Sequence, residues 1–461
     1  MWKGWSVSSS CFHRKSSYQD KKCRSRGKID MEELLKKLKD KSIEGEIFFR
    51  KGDSTLVIFE ANKLKSIESS ESSGVGLRVI IDNKIGYASQ YGMYEPDWLL
   101  DKAKATANIE TKMKLPLALD MKEEDSSEEL NKISIEELTE LGKGVIEKVL
   151  SSYPEVICNV EIGKNKGEAL ILNTRGVNCF RKKASLSIGI HVNRIKGTDM
   201  LDIYEETTVR EPSRLDTDRL LSKIFQALDA SENITKPSRT QIPVIFTPKA
   251  VYVLLLPLMS ALSGKILLMG VSPLEDKVGK KFFDDKFTLI DDPTNPDGLS
   301  RTSFDDEGVP TKVLTLVDSG VVGEFYFDLH TASLLNKEAN GHGFRGGLSQ
   351  PSPGLTNLII NSGDASIKDI ISSFDEVLVV DQMMGVGQGN ILSGEFSVNI
   401  HLGFLYRKGE IVGRVKDSML AGNAYNALSN IYALSREREW IEGTLYTPYI
   451  CIPELTVVSK E

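Results

Sequence analysis

Histidine and cysteine are scarce in this chain, five of each in 461 residues, and their spacing excludes more chemistry than their number does. His13, His191, His330, His342 and His401 lie far apart, so there is no HExxH, no HExxxH and no other close pair. A zinc hydrolase needs two or three imidazoles, thiolates or carboxylates converging on one ion, plus an open position for water. Only His330, His342 and Cys451 remain as a set that folding could bring together for an unorthodox metal site. No CxxC occurs, and Cys158, Cys179 and Cys451 are scattered singly, which argues against a disulfide framework. They read as buried small hydrophobes in a reducing cytoplasm. GxSxG is also missing, so Ser263, Ser272 and Ser303 have no nucleophile elbow.

Positive charge is concentrated at one end. Residues 1–30 hold eight Lys or Arg against two Asp, are Ser-rich and show no apolar periodicity, the composition of a disordered tail. A transit peptide has this composition, and so does a start codon assigned in error ahead of Met31. The lack of an amphipathic Arg face and of a secretory apolar core favours the second. Without those six net positive charges the body moves from −7 to −13, which disfavours stable binding to a phosphate backbone. Nucleic acid is not expected as a direct partner.

Periodicity beyond the tail predicts an α+β protein. A region at 31–120 opens with a helix carrying Met31, Leu34, Leu35 and Leu38 on one face. Strands are expected at 47–50 and 55–60 around a turn Lys51-Gly52-Asp53-Ser54, then at 74–81 and 85–89 around Asp82-Asn83-Lys84, with a helix over 96–110. The acidic stretch 120–131 reads as a solvated connector. A central region at 132–230 begins with a capping box, Ser134 with Glu137, ahead of an amphipathic helix. Strands at 156–163, 169–172 and 184–192 and a helix carrying Leu221, Ile224, Phe225 and Leu228 complete it. A polar connector at 229–242 leads into a strand-rich C-terminal domain at 241–461, with hairpin turns at Asp318-Ser319-Gly320 and at 407–410.

The apolar run AVYVLLLPLMSALSG begins after Lys249 and ends at Lys265, short of the about 20 apolar residues that a membrane span requires. It reads as a core helix enclosed on every side, with Pro257 marking a kink or boundary. Gly341-His342-Gly343-Phe344-Arg345-Gly346 satisfies GxGxxG but lacks the flanking strand and helix of a dinucleotide site, so it reads as a glycine-rich loop. Gly385-Val386-Gly387-Gln388-Gly389 is a second such loop. The carboxylates at Asp291-Asp292 and Asp305-Asp306-Glu307 read as polar turns rather than as a catalytic pair.

Four segments together carry a resemblance: GVGLRVI with IGYAS at 74–89, NTRGVNCFRKKASLSI at 173–188, FDDEGVPTKVLTLVDSGVV at 304–322, and SGEFSVNIHLGFLYRKGEIV with the later AGN at 421–423. The chain resembles the TldD/PmbA family over nearly all of 31–461. That resemblance implies a cytoplasmic zinc metallopeptidase built as a heterodimer around a peptide-accepting chamber. In the family's TldD-type subunit a helix carries His-Glu-x-x-x-His, and the matching positions here are Leu256, Pro257 and Ala261, none able to bind zinc or act as a base. Cys451, in YICIPEL, does not match the ligand cysteine of that subunit. The resemblance is therefore to the PmbA (TldE) subunit, with no metal of its own and zinc on a TldD-type partner. Unfolded or modified peptides are the expected substrates, held in extended form by strand addition, and a homodimer is an alternative assembly. His342 and Arg345 are the candidate peptide-binding residues. An active peptidase with an unorthodox site, and a non-enzymatic regulator of gyrase or of toxin-antitoxin systems, stand as the alternatives.

Overall fold

Two large sheets organise the chain, and the computed structural model describes residues 31–125 and 128–460 of it. The tail expected at 1–30 lies outside the described residues. The first sheet contains β1 (Glu44–Glu60), β2 (Lys63–Ile81), β3 (Lys84–Tyr91), β4 (Ile109–Glu110), β5 (Asp120–Asp125), β6 (Ile157–Asn173), β7 (Asn178–Lys196) and β8 (Asp199–Val209). Its order is β4-β3-β2-β1-β6-β7-β5, with β8 also paired to β7. Residues 31–120 and 132–230 thus contribute strands to a single sheet.

Alternation along β1 assigns the two faces of this sheet. Ile47, Val57 and Phe59 point towards helices, while Glu46, Phe48 and Arg50 point towards the C-terminal half. Residues 31–40 (α1) and α2 (Pro96–Ala105) cover one end of the helical face, with Leu34, Leu38, Leu99 and Leu100 fully buried. Beyond a short α3 (Glu128–Lys132), α4 (Ile135–Ser152) and α5 (Thr217–Ala230) cover the other end. The capping box forms as expected: Glu137 N–H donates to Ser134 Oγ at 3.1 Å, and Ser134 N–H donates to Glu137 Oε2 at 2.7 Å. Ser134→Ala should cost about 1 kcal/mol in a urea titration, an effect visible because α4 packs on β1 and β6.

Four expectations are corrected by the structure. No hairpin turns at 51–54: β1 runs unbroken, because Gly52 pairs with Ser72 on one side and Gly167 on the other, satisfying the backbone that a turn would have satisfied. The chain reverses instead at Ala61-Asn62, both left-handed at φ 49° and 67°. Likewise 156–163 and 169–172 belong to the one strand β6. The acidic connector begins as β5, which lies parallel to β7 with Glu123 opposite Arg181 and Glu124 opposite Lys182, and Met121 packs against the cluster that holds Phe48, Cys179 and Phe304. The helix over 96–110 is shorter than expected and stops at Ala105.

The second sheet has twelve strands: β9 (Ile234–Thr235), β10 (Gln241–Phe246), β11 (Leu289–Asp291), β12 (Leu314–Asp318), β13 (Val321–Val322), β16 (Leu358–Ile360), β17 (Glu376–Met384), β18 (Glu395–Arg407), β19 (Glu410–Val415), β20 (Ser418–Asn423), β21 (Ala433–Ile441) and β22 (Leu445–Ser459). A small ladder of β14 (Gly343–Phe344) and β15 (Ser352–Pro353) stands apart. The main path is β13-β12-β11-β16-β22-β10-β17-β18-β19-β9, with β20 and β21 branching from β22. The predicted α+β class and strand-rich C-terminal half are what the structure shows. Among the described residues no helix is long and apolar enough to cross a membrane.

Candidate functional site around helix α6

The apolar run folds as α6 (Tyr252–Ala261), which continues through Pro257. Just before it, Lys249 lies in a salt-bridge pocket, its Nζ 2.5 Å from Glu205 Oε1 of β8 and 2.7 Å from Asp381 Oδ2 of β17. Burial works against its charge, but Asp381 and Glu205 outweigh it and hold the ammonium above the usual lysine range. Thr247 Oγ1 donates to Asp381 Oδ1 at 2.9 Å, so the entry to α6 is fixed to both sheets.

Val253, Leu254, Leu255, Pro257, Leu258 and Ala261 are buried in the C-terminal core. The helix is not enclosed on every side as expected. Tyr252 is 46% exposed, and Leu256, Met259 and Ser260 are half-buried, which at spacings of four, seven and eight residues makes one outward stripe. The reason lies in packing: the rest of the helix meets the C-terminal core, the segment Ala424–Ser429 and the short turn Ile391–Ser393, whereas Leu256 on this stripe is approached by a loop. That loop is Gly385–Gly389. A Cβ built at Gly387 would stand 3.2 Å from Leu256 Cδ2, and Gly385, Gly387 and Gly389 all have φ between 81° and 90°. The structure thus joins two features that the sequence left separate, the apolar helix and a glycine-rich loop that bends closely over it.

Chemically this surface is apolar at Leu256 and Met259, with hydroxyls at Tyr252 and Ser260. Leu256 and Ala261 carry no ligating atom, and the Pro257 carbonyl accepts from Tyr425 Oη at 3.3 Å. The side chains at these three positions do not fit a zinc ion.

His342 and Arg345 sit elsewhere, at the junction between the two sheets. His342 is fully buried, with Nε2 2.8 Å from Asp291 Oδ2 and Nδ1 2.9 Å from the Asn340 carbonyl. Both nitrogens of the ring on which peptide binding was expected are engaged within the chain, by Asp291 and by the Asn340 carbonyl. Arg345 donates to Glu46, to the Asp306 carbonyl at 3.3 Å and to the Ser349 carbonyl at 3.0 Å, and its guanidinium lies over the Phe48 ring. It borders a cavity described below, with its charge already matched by Glu46.

The carboxylates read as a polar turn are buried instead. Arg78 Nη1 donates to Glu307 Oε1 at 2.6 Å and Nη2 to Glu46 Oε2 at 2.7 Å. Asp305 accepts from the backbone N–H of Glu307, Val309 and Gly343, each at 2.9 Å. Burial, opposed by Arg78, pushes Glu307 up to about 7, and burial beside Glu307 raises Asp305 well above the carboxylate range. Sequence reading missed Arg78 and Glu46, because the partners stand far apart in the chain and no local spacing signals them.

The possible metal set of His330, His342 and Cys451 does not converge. His330 Nδ1 is 3.3 Å from Thr111 Oγ1, His342 is held as above, and Cys451 lies between Ile245 of β10 and Ala433 of β21. Burial pushes the Cys451 thiol up to about 12, away from the thiolate a metal would need. Among the described residues no three His, Cys, Asp or Glu are grouped so as to hold a metal ion.

Comparison with known proteins agrees with this architecture. A family profile described as "PmbA/TldA metallopeptidase C-terminal domain" matches residues 239–459, and one described as "PmbA/TldA metallopeptidase domain 1" matches residues 45–106. The chain is 26% identical to an uncharacterized protein of Methanocaldococcus jannaschii over 92% of its own length and 98% of that protein. It is 28% identical to a metalloprotease TldD homolog of Buchnera aphidicola, over 40% of this chain and 38% of that one. The crystal structure of TldE from Thermococcus kodakarensis superposes with a TM-score of 0.85 at 26% identity, covering 93% of this chain and all of that one. A proposed modulator of a DNA gyrase from Thermotoga maritima shares the fold, with a TM-score of 0.84 at 21% identity over 94% of this chain and 100% of that one. The chain belongs to the PmbA/TldD metallopeptidase family.

Proposed function

We propose that this chain is a non-catalytic subunit of a TldD/PmbA-type zinc metallopeptidase and forms one wall of a peptide chamber completed by a partner. The observation that carries this reading is α6. At the positions to which the family's His-Glu-x-x-x-His maps, the chain has Leu256, Pro257 and Ala261, and the half-exposed side of the helix is apolar at Leu256 and Met259, under a glycine-rich loop. Such a surface excludes water and accepts apolar side chains, but it cannot polarise a carbonyl or activate a water. The similarity to TldE supports the same assignment. Zinc and the general base belong to the partner subunit in this reading, and the chain's own residues contribute binding area.

The test is to purify the chain alone and after co-expression with a family member that carries His-Glu-x-x-x-His. Alone it is expected to hold substoichiometric zinc and to leave unfolded peptide substrates intact. Together the two chains should co-elute and cleave them. Stoichiometric zinc with peptide hydrolysis by the isolated chain would overturn the reading in favour of an unorthodox metal site. Failure to bind any such relative, or a homodimer that excludes it, would overturn the partnership.

A further inference from the structure

We propose that the cavity between the two sheets binds the C-terminal carboxylate of a short peptide ending in an apolar residue. The cavity has a volume of about 390 Å³, within the range of small-molecule sites. Its floor is the face of the first sheet opposite the helices. Along β6 on this face, side-chain size falls from Ile171 to Ala169 to Gly167. Ile171 packs with Phe48, Cys179 and Phe304 in the contact between the sheets, and the cavity opens where the side chains become small.

Register places two guanidiniums at the opening. Arg50 of β1 is directly opposite Ala169 of β6, and Ala169 is directly opposite Arg181 of β7. The two arginines therefore flank a methyl group in one row across three strands, on the same face. They are two strand spacings apart, roughly 10 Å between backbones, leaving a notch the width of a carboxylate with its hydration or hydrogen-bond partners. In the next row Gly167 stands opposite Lys183. Arg50, Arg181, Lys183 and Arg345 line the cavity against two carboxylates, Glu168 and Asp306. Arg181 is already engaged by Asp306, by Thr302 Oγ1 at 2.9 Å and by the Phe304 carbonyl at 3.0 Å, and Arg345 by Glu46, so Arg181 contributes its field while Arg50 is the guanidinium that meets the ligand. Arg50 is exposed at the rim.

The remaining walls are apolar or carry hydroxyls: Phe48, Leu299, Phe344 and Leu355, with Ser300 and Thr356 between them. An anionic group at the arginine row would leave its apolar side chain against Phe48, Phe344 and Leu355. The choice of a peptide end as ligand rests on the peptide-handling role proposed above. All the residues that line the cavity come from this chain, so binding by the isolated chain tests the site separately from zinc content and assembly.

The probe is N-acetyl-alanyl-leucine, compared with its C-terminal amide by titration calorimetry against the isolated chain. The acid should bind and the amide should bind at least tenfold more weakly, since a neutral end gains nothing from the arginine row. Arg50→Ala, an exposed position, should weaken the acid by about tenfold without changing the amide. Ala169→Met, which fills the notch, should abolish both, with its fold checked by circular dichroism. Equal binding of acid and amide, undiminished binding to Arg50→Ala, or no binding of the acid at millimolar concentration would each overturn the proposal.

Discussion

Replacing Arg78 with methionine is expected to lower the unfolding free energy by about 3–5 kcal/mol. The side chain is 2% exposed and lies between two fully buried carboxylates, Glu46 on the neighbouring strand and Glu307 from the C-terminal half. Methionine fills much of the volume but leaves both carboxylates desolvated, with Arg345 alone to balance Glu46 and nothing cationic on Glu307. That uncompensated charge sets the size of the effect; the net worth of the intact pair is much smaller, because burying the ions costs nearly what their attraction returns. Urea titrations of the single variant and of Arg78→Met with Glu307→Gln separate the two. The double variant should recover part of the loss, since removing the orphaned charge makes the effects non-additive. A single-variant loss below about 1 kcal/mol would show that water reaches the network.

Stability is also expected to fall as pH rises from about 4.5 to 7, by on the order of 2–3 kcal/mol from Glu307. The ordinary value for this carboxyl is 4.5, and burial in the folded protein moves it to about 7. Between these values the folded state binds the additional proton, so stability gained at the acidic end is lost as pH rises through the folded value. Asp305 is shifted in the same direction by burial and by Glu307, and Glu206 reaches about 7 through burial and the neighbouring Glu442. Asp202 and Asp199 are shifted downward by His401, Lys416 and Arg414, which opposes the trend at lower pH. The informative measurement is therefore a difference: the slope of unfolding free energy against pH in native chain and in Glu307→Gln, whose single carbonyl oxygen keeps one of the two bonds that the carboxylate accepts from Arg78 and from the Leu329 N–H. The variant should be flatter between pH 5 and 7. An unchanged slope would place the titrating group elsewhere.

Much of the fold was legible because its signals are local. The hairpin between β2 and β3 turns at Asp82-Asn83, where both residues adopt left-handed backbone at φ 50° and 58°, a conformation asparagine and aspartate tolerate. The capping box of α4 needs only Ser134 and Glu137, three residues apart. The false hairpin at 51–54 shows the limit. Lys-Gly-Asp-Ser has turn chemistry, but the strand passes beyond the apolar core while staying paired to polar residues of β2 and β6 on both sides. The β6 partners, more than a hundred residues away, supplied hydrogen bonds that no window of sequence contains.

The candidate site divides in the same way. That α6 lacks ligands at 256, 257 and 261 is a property of side-chain identity, and the sequence by itself determined it. Which side of α6 faces outward, that the loop at Gly385–Gly389 closes over Leu256, and that His342 is sealed by Asp291 were decided only by tertiary structure. So was the Arg50–Ala169–Arg181 row, whose members come from three strands. Composition and spacing fix what a residue is able to do; burial, register and charge pairing depend on which distant segments share its face of a sheet, and those determine what it is left free to do.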